Sequence, residues 1–156
     1  MKSIFDFTGS VTAGDIERFI TKGVDPNVKD DKGRTPLMMA VCYGYHSAAD
    51  ALVKAGASID AQDNYGNTAL MLAAFAGMHR VIDKVLSYGP NLNLTDSRGG
   101  SALTSCFENS FLSDDVRESV IEKLLKSGAT PDQMALAIPI IKNLSEKVNT
   151  IRLSHA

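Results

Sequence analysis

Three sets of residues have the types and spacing to suggest chemistry. His46 and His79 stand 33 positions apart, Asp30, Asp63 and Asp96 recur at that same interval, and Cys42 and Cys106 are the two thiols. Imidazoles ligate zinc, carboxylates exchange protons and a thiolate is a nucleophile. All of these need close approach, and two ligands of one zinc each lie about 2 Å from the metal. A shared period works against that. Residues in step occupy equivalent places in successive units, and packed helices sit roughly 8–10 Å apart. His46 and His79 are therefore expected to open successive second helices, too far apart to share a metal. The aspartates read as turn residues, too widely spaced for acid–base pairing. The two sulfurs, about two units apart, should be separated by on the order of 20 Å, beyond disulfide reach. They read as free thiols, core or half-buried, which suits a reducing compartment. His155 lies in the tail. No phosphate loop, paired zinc spacing or nucleophile elbow is present. No catalytic residue, cofactor or metal site is expected.

The period carries the organisation. The stretch 63–95 begins Asp63-Asn64-Tyr65-Gly66-Asn67-Thr68-Ala69-Leu70. Thirty-three positions earlier stand Asp30, Gly33, Thr35, Leu37, Ala40, Gly44, Leu52, Gly56 and Asp60, and 33 later Asp96, Gly99, Ser101, Ala102 and Leu103. Self-similarity at this period marks a stacked-repeat protein. Gly33-Arg34-Thr35-Pro36-Leu37 and the later pair Gly56-Ala57 resemble the ankyrin repeat over roughly residues 14–132. The resemblance implies an all-α solenoid of helix-turn-helix units with β-hairpin-like finger loops, about four repeats plus a C-terminal helical cap.

The chain divides accordingly. Residues 1–29 read as an N-terminal capping repeat, with Ile16, Phe19 and Ile20 on one helical face and Gly23 as the stop. Residues 30–62 and 63–95 are regular repeats, in which Thr35 is an N-cap and Pro36 opens the helix. Asp60, with its counterparts Asn27, Asn93 and Asp132, is expected to bond loop backbone. Residues 96–130 form a repeat with a six-residue insertion. Gly56 to Gly89 spans 33 positions and Gly89 to Gly128 spans 39. The extra residues are expected between the two helices, within 108–117, with Ser113 capping the second helix. Residues 131–156 read as a C-terminal cap, split by Pro139, with Ile141, Leu144, Val148 and Ile151 in one stripe. Where the family motif has histidine, this chain has Met38, Met71 and Thr104, so methionine packing should replace its hydrogen bonds.

Composition bounds the rest. Of 156 residues, 44% are hydrophobic and 22% charged, which suits one globular domain. The formal net charge of −2 gives no strong draw to nucleic acid or anionic lipid. No apolar run is long enough to span a bilayer, and the N-terminus does not read as a signal peptide. The expectation is a cytoplasmic chain, monomeric when free, carrying nothing but the array.

The ankyrin resemblance implies protein binding through finger tips and first helices on the concave side. Carried over position by position, the family's contact places fall at the fingers on Arg34, Asn64, Tyr65, Asn67 and Arg98, and at the first helices on Tyr43, Phe75 and Glu108. Phe111, in the expected insertion, joins them because insertions in repeat proteins often reach the binding face. Lys29, Lys32, Arg34 and Arg98 suggest a mildly basic face and an acidic or mixed partner surface. The expected function is a non-enzymatic binder, a stoichiometric inhibitor or regulator of a cytosolic protein, for example of immunity or effector type. The alternative is a passive adaptor joining two proteins.

Overall fold

The computed structural model describes residues 4–5, 11–136 and 138–154. His155, and most of the stretch before Val11, lie outside these residues. The described part contains α1 (Ala13–Thr21), α2 (Pro36–Cys42), α3 (His46–Lys54), α4 (Ala69–Phe75), α5 (His79–Ser87), α6 (Ala102–Glu108), α7 (Asp114–Lys126), α8 (Gln133–Leu136) and α9 (Pro139–Ser154). Each short first helix packs on the second that follows it: α2 on α3, α4 on α5, α6 on α7. Successive first helices stack in an inner row of α2, α4 and α6, while α1 packs on α3 and α9 closes onto α7.

Helix starts follow from local chemistry. The Thr35 hydroxyl accepts the Met38 amide at 3.3 Å, and Pro36 takes the first helical position. In return the Met38 sulfur accepts the Thr35 amide at 3.5 Å, and Thr68 and Met71 repeat the exchange at 3.3 and 3.4 Å. The thioether thus closes a capping box whose usual third member is Glu or Gln. In α6 the Thr104 hydroxyl takes that role, accepting the Ser101 amide at 2.9 Å. There the buried Ser101 hydroxyl has no hydrogen-bond partner among the described residues.

The helices of seven to nine residues, α1 to α6, are too short to persist alone; packing holds them. Leu37, Leu52, Leu70, Ile82, Leu103, Ile121 and Leu124 are fully buried along one continuous core. Ile141, Leu144 and Val148 extend it into α9. Ile151 does not: it is 54% exposed, so the stripe stops one turn earlier than expected. The thiols also differ from each other, Cys106 fully buried and Cys42 exposed. Burial pushes the Cys106 thiol up to about 11.

The six extra residues are not all between the helices. The connection from α6 to α7 is five residues where the two before it are three, and α7 has thirteen residues where α3 and α5 have nine. Most of the insertion is one additional turn of helix. Ser113 caps it as expected, its hydroxyl accepting the Val116 amide.

The fingers are turns built on their aspartates. Oδ1 of Asp30 accepts the amides of Lys32 and Arg34, that of Asp63 those of Tyr65 and Asn67, and that of Asp96 those of Arg98 and Gly100, all at 2.8–2.9 Å. Neighbouring fingers are joined through backbone, Asn64 N–H to Lys32 O at 3.0 Å and Ser97 N–H to Tyr65 O at 2.9 Å. Side chains add Lys29 Nζ to Gln62 O and Gln62 Nε2 to Thr95 O, both at 2.8 Å. Hairpin character is slight: the described residues show one isolated bridge, Thr95 with Ser101. At the opposite loops, Asn27 accepts the Ser58 amide at 2.7 Å, Asp60 that of Asn91 at 2.8 Å and Asn93 that of Thr130 at 2.9 Å. These bonds reach the next unit's loop. Asp132 differs, capping its own turn by accepting the Ala135 amide at 2.7 Å.

Candidate functional site

The second and third fingers, with α4 and α6 behind them, enclose an open groove of about 410 Å³. Tyr65, Asn67, Phe75, Arg98 and Glu108, all named from sequence, line it. Tyr65 stands at a finger tip, 63% exposed, because the Asp63-anchored turn leaves its side chain outside the bonding. Phe75 is the last residue of α4, where the inner helix meets solvent, and is 42% exposed. Two aromatic rings thus border a lining that also includes Met71 and Leu72. Apolar surface with a few fixed polar groups is the usual make-up of a recognition site.

The polar part is held by one arginine. Arg98 Nη2 lies 2.5 Å from Glu108 Oε1 and 3.1 Å from Asp96 Oδ2. Both carboxylates raise the arginine's already high pKa. Burial pushes the Asp96 carboxyl up, but the Gly100 and Arg98 amides and the guanidinium outweigh it, so it sits below its ordinary value.

The other four expected residues lie elsewhere. Arg34 is half-buried against Asp30, with Nε at 2.8 Å and Nη2 at 2.7 Å from Oδ2. Asn64 donates to the Asp31 carbonyl at 3.0 Å, joining two fingers. Tyr43 caps the end of α2 and stacks on Tyr45 with ring centroids 5.8 Å apart. Phe111 projects from the α6–α7 connection, 96% exposed. The charge reading also changes. Arg34 and Arg98 are each paired with carboxylates of this chain, Lys29 donates to a carbonyl, and Lys32 is exposed, so the two arginines contribute less outward charge than the sequence suggests. His46 and His79 are the first residues of α3 and α5, as expected.

Sequence reasoning missed Leu72 and Ser105 in the groove. They stand 33 positions apart, as do Phe75 and Glu108. Each stands three positions before a named residue, Phe75 or Glu108, so reading the inner helices one turn earlier would have found both.

Stacked helical hairpins with a ridge of bonded turns define an α-helical repeat solenoid. Residues 10–96 match the family model for ankyrin repeats in three copies, more than half the chain, and the protein belongs to that family. No curated protein matches the sequence. Ankyrin repeats are in general protein–protein interaction modules. Among the described residues no helix is long and apolar enough to cross a membrane.

Proposed function

We propose that the chain is a non-enzymatic, cytoplasmic binder, monomeric when free, that grips one partner protein through the finger and inner-helix face and acts as its stoichiometric inhibitor or regulator. The observation that supports this reading most is the groove bordered by Tyr65 and Phe75, which gathers five separately named residues on one surface. Aromatic anchors beside a fixed arginine are the composition of interface hot spots. Because the arginines are internally matched, the partner surface is mixed rather than strongly acidic, with an apolar centre that meets the rings. The alternative, a passive adaptor, needs two partners at once.

Native co-purification followed by stoichiometry and an activity assay tests the reading. A one-to-one complex in which the partner's activity is lost is the expected result. Recovery of a ternary complex with full activity would replace inhibition by adaptation.

A further inference from the structure

Among the described residues Phe111 is the most exposed large hydrophobic side chain, and its loop is pinned on both sides. Asn109 Nδ2 donates to the Phe75 carbonyl at 3.0 Å, and Asn109 Oδ1 accepts the Phe111 amide at 3.0 Å. Arg117 reaches back from α7 to the Asn109 carbonyl at 3.0 Å and the Cys106 carbonyl at 3.4 Å. Leu112 turns the other way, onto the Gly77 turn, where an added Cβ would meet its Cδ2 at 2.8 Å. One apolar side chain of the loop therefore anchors it while the next stands in water. Holding the backbone beneath an exposed phenyl ring leaves less loop freedom to lose on docking, a condition that favours affinity.

The exposed charge on the first turns of α7, which follow the loop directly, is acidic. Arg117 is largely covered, bound to Asp114 at 2.8 Å, while Asp115 and Glu118 face solvent on the first turns of α7. We infer that this loop is a second docking point, and that Phe111 enters an apolar pocket rimmed by lysine or arginine on a partner protein. The inference rests on the protein-binding reading but concerns a surface separate from the groove.

A photo-crosslinking residue placed at position 111, and separately at position 65, in the full chain expressed in its own cells tests it. The captured protein is purified and titrated against the wild type, Phe111→Ser, and Asp115→Asn with Glu118→Gln. The ring is fully exposed, so these variants should keep the wild-type circular dichroism. The expected result is capture at 111, affinity weakened about tenfold or more by Phe111→Ser, and a flatter dependence on ionic strength in the charge variant. Capture at 65 alone, or a protein captured at 111 whose affinity Phe111→Ser leaves within about twofold, overturns the inference and spares the groove. Capture at neither position overturns both.

Discussion

Gly66 lies against the backbone of Asp96: a Cβ built on it would stand 2.8 Å from the Asp96 Cα and 2.8 Å from the Ser97 nitrogen. The second finger can sit this close to the third only because the side chain is missing. Its φ of +83° adds a second demand for glycine. Gly44 has a similar φ of +68° but open space around its missing Cβ. Gly44→Ala should therefore cost about 1 kcal/mol for the left-handed conformation alone, and Gly66→Ala distinctly more, because backbone must also move. Urea midpoints of the two variants measure this; equal losses would remove the role given to the inter-finger contact.

The core and the tail separate by the same measurement. Leu70 is 2% exposed between neighbouring inner helices, and Leu70→Ala should lose about 2–5 kcal/mol. Ile151→Ala, on a half-exposed side chain, should stay within about 0.5 kcal/mol. A loss below that at Leu70 would mean the stack is not held by this seam.

Acid should loosen the fingers. Asp30 and Asp96 are held below the ordinary value of 3.8, although burial alone would raise them, and Asp50 is lowered chiefly by its bond to Lys84. A carboxyl whose folded pKa is depressed contributes stability that is fully present above its unfolded pKa. That contribution is lost as pH falls through the folded value. The urea midpoint should be little changed from neutrality to about pH 5 by these groups and fall below about pH 4. Asp96→Asn keeps an acceptor for the Arg98 and Gly100 amides and removes the charge. It should lower the neutral midpoint and make the acid limb shallower; an unaltered acid limb would assign the loss to other groups.

The groove is tested at its rings. Tyr65→Ala with Phe75→Ala should weaken partner binding by roughly 1–4 kcal/mol with little change in the urea midpoint, since both rings are exposed. Calorimetry with the purified partner reads this directly. Unchanged affinity would move the interface away from the concave side.

The period made the helix positions and most of the core legible, because Leu37, Leu70 and Leu103 repeat one burial environment 33 positions apart. Asp30, Asp63 and Asp96 were legible for the same reason. What the period hid was where a register break goes. Ser113 was legible as the cap of the second helix, but the period does not say how six extra residues divide between the connection and a longer α7. Arg34 was misread as outward charge because sequence spacing does not reveal that Asp30, four positions earlier, folds back beneath it. Tyr65 and Phe75 could be named one by one from sequence, but that they border one groove needed the third dimension.

The bonds between fingers constrain how this surface can change over time. Many amides and carbonyls of the turns are already matched within or between neighbouring units, so discrimination falls to the side chains that protrude beyond them. A lineage could exchange Tyr65 or Phe75 for other anchors without refolding anything underneath, and acquire a new target in a few substitutions while the scaffold stays as it is.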